Sequence, residues 1–148
     1  MNNYKNKYGY FDKNGREFVI TRHDTPRPWV NVICPSGYGT IISQIGGGYS
    51  WLTHAKYNRI TNWNQDLLKD NNGKYIFIKD KDTGELWSAT WMPVKKEYQE
   101  YKCIHGIGYS VFENKTEDIR STMTVFVPPE DKLEIWKLKI KNESKIKK

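Results

Sequence analysis

Trp136-Lys137-Leu138-Lys139-Ile140-Lys141 alternates an apolar residue with a lysine without a break. That is a period of two, which predicts a half-buried β-strand and excludes a helix over the same residues. Working back from it, residues 121–127 alternate Thr with apolar side chains until Pro128-Pro129 stops them. Residues 98–105 and 109–113 read as two strands around Gly106-Ile107-Gly108, and 74–79 as another. Asp80-Lys81-Asp82-Thr83-Gly84-Glu85 is a turn from which residues 86–88 return. Nearer the start, 29–33 and 40–45 are strand-like, and 8–11 and 17–21 flank the hairpin signal Asn14-Gly15. His54-Ala55-Lys56-Tyr57 fits one helical turn, but no apolar stripe of helical period runs for three turns. Short strands punctuated by Gly, Pro and Asn predict an all-β fold, an antiparallel β-sandwich.

A second stretch is distinctive. Ser43-Gln44-Ile45-Gly46-Gly47-Gly48-Tyr49-Ser50-Trp51 places three glycines before two aromatics. Glycine leaves no side chain to fill space, so this suits a bend between strands where two segments, or a chain and a flat ligand, come very close. It is no phosphate loop, because G-x-G-x-x-G, a following Lys-Ser/Thr and a helical pattern are all missing. Just upstream, Thr25-Pro26-Arg27-Pro28-Trp29 must be extended, with prolines on both sides of Arg27.

Composition narrows the function classes. The 148 residues are enough for one domain with a real core, and aromatics make up 14% of them, including six Trp and ten Tyr. The formal charge is +7, yet most of the excess sits on seven lysines between 132 and 148. With few arginines and no basic stripe, no nucleic-acid partner is expected. No apolar run is long enough to span a membrane, and Met1-Asn2-Asn3-Tyr4-Lys5 lacks a signal-peptide core, so a cytoplasmic location is expected. Cys34 and Cys103 are no disulfide framework and read as buried thiols.

Catalytic signatures are missing. His23, His54 and His105 lack metal-ligand spacing, so no metal site is expected. Asp80 and Asp82 lack the flanking helices and closing Glu of a calcium loop. No Gly-x-Ser-x-Gly occurs, and no carboxylate pair stands out by spacing. Asn114-Lys115-Thr116 and Asn142-Glu143-Ser144 match the glycosylation sequon without a secretion signal to support it. Trp51, Arg59, Trp63 and Trp91 have the chemistry to contact sugars, although aromatics in a β-domain more often fill the core. His105, beside Gly106 and Gly108, is the most site-like histidine, or a structural one at a tight turn.

Several motifs, in order, resemble the N-terminal region of the inverting glycoside phosphorylases of the cellobiose and chitobiose phosphorylase family, which also includes cyclic β-1,2-glucan synthases. They are Tyr8-Gly9-Tyr10-Phe11-Asp12, Thr25-Pro26-Arg27-Pro28-Trp29-Val30-Asn31, the stretch 43–51, Asn58-Arg59-Ile60-Thr61, Asp82-Thr83-Gly84-Glu85-Leu86-Trp87-Ser88, Pro93-Val94-Lys95-Lys96, His105-Gly106-Ile107-Gly108-Tyr109 and Phe126-Val127-Pro128. The resemblance implies a large β-sandwich, or supersandwich, joined in the full enzymes to an (α/α)6 barrel. It implies phosphorolysis of a β-linked oligosaccharide by inorganic phosphate as co-substrate, releasing a sugar 1-phosphate. The general acid is an Asp of the barrel, so no catalytic residue carries over to this chain.

Measured against the family, residues 1–141 are expected to be an incomplete sandwich and 142–148 a Lys-rich tail, with the barrel absent. The expected role is non-catalytic: dimerisation as a homodimer, or joining a complementing catalytic polypeptide, and bordering the saccharide site. The alternative is a standalone carbohydrate-binding sandwich. No cofactor is expected beyond the phosphate of the full enzyme. Asn31-Val32-Ile33-Cys34 stands where relatives commonly have Asn-Tyr-Leu-Gly, while Trp51 and Trp63-Asn64-Gln65-Asp66 resemble the glucan-synthase side. Residues 136–141 are expected to be left as an edge strand with open apolar surface, leaving the chain marginally stable or self-associating.

Overall fold

A computed structural model describes residues 4–64, 66, 68–69 and 71–148. Met1–Asn3 and Gln65, on which part of the sequence reading rests, lie outside the described residues. The described residues form eleven strands and no helix. These are β1 Gly9–Phe11, β2 Glu17–Ile20, β3 Val30–Ile33, β4 Tyr38–Ser43, β5 Gly48–Leu52, β6 Phe77–Lys79, β7 Leu86–Ser88, β8 Glu100–Gly106, β9 Tyr109–Thr116, β10 Ile119–Phe126 and β11 Ile135–Asn142. One layer is a six-stranded sheet in the order β1-β2-β8-β9-β10-β11. The other holds a three-stranded sheet, β3-β4-β5, and a two-stranded one, β6-β7. All pairings are antiparallel, so the fold is the all-β sandwich that the turn spacing predicts.

The inner face of the large sheet is built in cross-strand rows. Ile20, Cys103, Phe112, Met123 and Leu138 are register partners in sequence across β2, β8, β9, β10 and β11. The first four are fully buried and form the main core with Ile42 of β4 and Ala89. The rows on either side each carry a polar pair. His105 and Ser110 are neighbours in one, bonded at 2.9 Å. Asn114 and Ser121 are neighbours in the other, with the Ser121 hydroxyl donating to Asn114 Oδ1 at 2.8 Å.

Polar side chains of these rows grip the backbone of the opposite layer. Asn114 Nδ2 donates to the Ala89 carbonyl at 2.8 Å, and the Tyr101 hydroxyl to the Gln44 carbonyl at 2.7 Å. His105 Nε2 lies 3.0 Å from the Trp29 carbonyl. Asn31 reaches back from β3, donating to the Gly106 and Tyr109 carbonyls at 2.9 and 2.8 Å. A buried polar group left unpaired costs about 1–3 kcal/mol, so these bonds set the registry between layers as well as the spacing.

The glycine triplet is the β4–β5 turn. Gly46 and Gly48 have φ of 93° and 136°. A third segment lies against it backbone to backbone: Gly73 bridges Gly47, Gly48 N donates to the Asn72 carbonyl at 2.6 Å, and Lys74 N to the Gly46 carbonyl at 3.1 Å. A Cβ on Gly73 would sit 2.1 Å from the Gly46 carbonyl oxygen. The triplet is the close approach of two chain segments that its composition suggests.

Four sequence expectations are corrected. Only Phe77–Lys79 of the 74–79 run is strand, because Lys74 is drawn to the glycine turn instead. Residues 54–58 close one turn through Asn58 N donating to the His54 carbonyl at 3.0 Å, without becoming a helix. Cys103 is buried, but Cys34 is exposed beyond the end of β3. Finally, β11 has the predicted period yet is not half-buried. Its inward residues Trp136 and Ile140 are 37% and 52% exposed, Ile140 lining an open cleft of about 450 Å³ with Ile78 and Trp87 of the second layer.

Two measurements follow from this packing. Burial pushes the His105 imidazole below its ordinary value. The unfolded chain therefore takes up that proton first, and folding stability falls as pH drops below about 6.5, by up to about 1.4 kcal/mol per pH unit. Arg120 holds Glu143 at about 2, so that carboxylate adds a separate loss as pH falls from the ordinary Glu value of 4.5 toward 2. Denaturant melts across pH should show the upper limb vanish in His105→Gln while the lower one persists. Second, the open β11 face should drive concentration-dependent association, and sedimentation of Trp136→Lys/Ile140→Lys should show it reduced.

Candidate functional site

Three of the sequence-predicted residues meet on the outer face of the three-stranded sheet. In β5, Tyr49 and Trp51 point outward, while Ser50 points in. Across the register Trp51 faces Gly39, and its indole lies on that glycine. A Cβ at Gly39 would come within 2.2 Å of the ring, so only glycine permits the arrangement. Residues 58–61 then run along the free edge of β5: Leu52 N donates to the Asn58 carbonyl at 3.1 Å and Ile60 N to the Ser50 carbonyl at 2.8 Å. This brings Arg59 opposite Trp51 and turns Trp63 back onto Tyr49.

The resulting cluster is tight. Tyr49 lies 4.8 Å from Trp63 and 5.6 Å from Trp51, ring centre to ring centre. The exposed Arg59 guanidinium sits 5.1 Å over Tyr49 and 4.9 Å over Trp63, and its Nε donates to the Ala55 carbonyl at 2.9 Å. Trp51 itself is only 8% exposed and acts as the floor. Val32 and Ile41 continue the outer row from Tyr49, with Val32 58% exposed. No carboxylate pairs with Arg59 among the described residues. The surface offers ring faces, aliphatic area and a cation, which suits binding and supplies no acid–base pair.

Trp91 and His105 lie elsewhere. The His23 ring stacks flat on Trp91 at 4.3 Å, so one face of that indole is already taken. His105 faces the sandwich interior with both ring nitrogens engaged, by Ser110 and by the Trp29 carbonyl.

On the inner side of the same sheet is a cluster that the sequence did not reveal. Lys74 Nζ lies 3.7 Å from Glu134 Oε2, with side chains 2% and 10% exposed. Glu134 also accepts from the Ser50 hydroxyl at 2.9 Å and from Trp136 Nε1 at 3.1 Å. Burial lowers the lysine's proton affinity, and Glu134 partly restores it. A lone Lys and a lone Glu far apart in the chain carry no signal of such a pair. It joins the glycine turn to the lead-in of β11 and reads as structural.

With this geometry in place, comparison with known proteins is decisive for the family. Residues 16–148 match the family described as glycosyl hydrolase 94, supersandwich domain. The chain is similar to the N,N'-diacetylchitobiose phosphorylase of Vibrio proteolyticus, with 42% identity over 140 residues, covering 93% of this chain and 18% of that protein. It is 36% identical over 140 residues to the solabiose phosphorylase of Paenibacillus borealis, covering 93% of this chain and 18% of that protein. Similarity to the cyclic beta-(1,2)-glucan synthase NdvB of Rhizobium meliloti (strain 1021) is 27% over 117 residues, 77% of this chain and 4% of that protein. The chain thus spans about a fifth of the length of the phosphorylases it matches. The ordered motifs, the antiparallel sandwich and the extent of the match together place it in one group: the chain belongs to the supersandwich domain family of glycosyl hydrolase 94.

Proposed function

We propose that this chain works as the non-catalytic N-terminal sandwich of an inverting glycoside phosphorylase, serving dimerisation and bordering the saccharide site. The observation that carries the reading is the match itself: 93% of the chain aligns at 42% identity with a protein named as a chitobiose phosphorylase, yet accounts for 18% of it. In the whole protein, inorganic phosphate attacks the anomeric carbon of a β-linked saccharide while a general acid protonates the leaving oxygen. Phosphate is its own nucleophile, so a second carboxylate as base is not required. The chain's own contribution is a rigid wall. In the whole protein Tyr49 and Trp63 turn ring faces, and Arg59 its donors, toward a sugar that the rest of the site holds, a one-sided contact too small to retain it alone.

A second reading, a standalone carbohydrate-binding module, draws on the same exposed Arg59 and partly exposed Trp63. Two assays separate them. Incubation of the chain with phosphate and either cellobiose or N,N'-diacetylchitobiose is expected to release no sugar 1-phosphate; sustained release overturns the non-catalytic role. Titration with the same sugars, followed by Trp fluorescence, is expected to show no saturable change. A saturable change that disappears in Trp63→Ala favours the standalone module.

A further inference from the structure

β11 is open in three respects. It ends the strand order of the large sheet, so along one side its main-chain donors and acceptors meet no strand among the described residues. Its inner face is apolar and poorly covered: Trp136 and Ile140 are exposed, while Leu138 between them packs on the core. The cleft of about 450 Å³ beside Ile140 is lined by Ile78, Trp87 and Ile119, apolar side chains from both layers. Its outer face is a row of exposed lysines, Lys137, Lys139 and Lys141. Across the register these face Thr124, Thr122 and Arg120, and no acid of β10 stands opposite them. Lys137 and Lys139 have no ion pair among the described residues. The nearby acid, Glu143, is already shared by Lys141, Arg120 and Lys115.

Two occupants could come from the chain itself, and neither fits. Antiparallel pairing of β11 with its counterpart in a second copy sets lysine opposite lysine along the outer face, because paired residues share a face and like charges there repel. The tail is basic too, and it is held elsewhere. Asn142 Nδ2 donates to the Ile146 carbonyl at 2.7 Å, and Lys148 Nζ lies 2.9 Å from Asp80 Oδ2.

We propose that the β11 edge is a docking site for an extended segment of a separate polypeptide, added as a further strand, whose residues alternate apolar and acidic. The period is set by β11 itself. Residues of the added strand beside Trp136, Leu138 and Ile140 face inward, and an apolar side chain next to Ile140 enters the cleft against Ile78 and Trp87. Residues beside Lys137 and Lys139 face outward, where Asp or Glu meets an unpaired ammonium. Main-chain bonds along the edge supply affinity for any strand, and the two faces supply the selection. Lysines on an edge strand keep like edges apart; here they leave the edge open to strands of opposite charge. The site shares no residue with the Tyr49–Trp63 surface, and its test uses no sugar.

The test is titration of the full chain with synthetic peptides as long as β11: alternating Val and Glu, alternating Val and Lys, and a Val-Val-Glu-Glu repeat that keeps the composition of the first but not its period. Amide hydrogen exchange along β11, followed by nuclear magnetic resonance, reports binding. Saturable binding of the Val/Glu peptide is expected, with β11 amides slowed and the other peptides weaker by about tenfold or more. Lys137→Glu/Lys139→Glu should exchange the preferences, so that the Val/Lys peptide binds and the Val/Glu peptide does not. That gain of binding cannot arise from a misfolded variant. No saturable binding of the Val/Glu peptide, equal binding of either control peptide, or an unchanged preference in Lys137→Glu/Lys139→Glu overturns the proposal. So does slowing of the β11 edge amides as the chain alone is concentrated, which would put a second copy on the edge; copies that meet through the open inner face leave those amides exchanging.

Discussion

Contact between glycines sets the limits for the rest of this sandwich. Gly46 to Gly48 and Gly73 meet main chain to main chain, and an added Cβ at Gly73 or Gly48 would fall 2.1 or 2.0 Å from a carbonyl oxygen. Everything nearby is placed by that approach. It seats Lys74 beside Glu134, and Glu134 in turn fixes the lead-in to β11. It also sends β5 outward with Tyr49 and Trp51 on the solvent side. The buried ion pair and the exposed aromatic surface thus lie on opposite faces of one hairpin whose turn admits no side chain.

The two layers are joined by two kinds of force with different ranges of tolerance. The central row of Ile20, Cys103, Phe112 and Met123 is apolar and excludes water, which favours compaction without fixing direction. The flanking His105, Asn114, Tyr101 and Asn31 bind named carbonyls in the other layer. Those bonds are directional, so they decide which carbonyl sits over which strand. Apolar substitution along the centre is a matter of volume, whereas change at the polar positions leaves a buried carbonyl or amide without a partner.

Much of this was legible in the sequence. Asn14-Gly15, the alternation of 121–127 and 136–141, and the turn at Gly106-Ile107-Gly108 each mark the element they form. The strand ends were harder to read where polar residues face inward. β9 reads as ending near Glu113, because Asn114 and Thr116 look like solvent residues, yet both are buried. The turn at Glu117-Asp118 has positive φ at both residues and no glycine to announce it. Among site candidates, Trp51, Arg59 and Trp63 come together because their short spacing lets one loop return along β5. The Lys74–Glu134 pair was invisible because its partners are brought together only by the long-range fold. At β11 the period alone predicts half-burial, whereas the structure has the edge with open apolar surface: period two reveals which residues share a face, not whether anything covers it.

The buried state of Asn114 has a consequence for the compartment in which such a chain can mature. Its sequon is complete, but in the folded protein the amide nitrogen is committed to the Ala89 carbonyl and the oxygen to Ser121. In a eukaryotic secretory pathway the sequon would be met while the chain is still extended, and a glycan attached there has no room between the layers. Maturation of this sandwich is compatible with an environment that lacks co-translational glycosylation, and moving it into a secreting eukaryotic host would call for Asn114 to be shielded by removing the hydroxyl of Thr116, a smaller intrusion than replacing the asparagine.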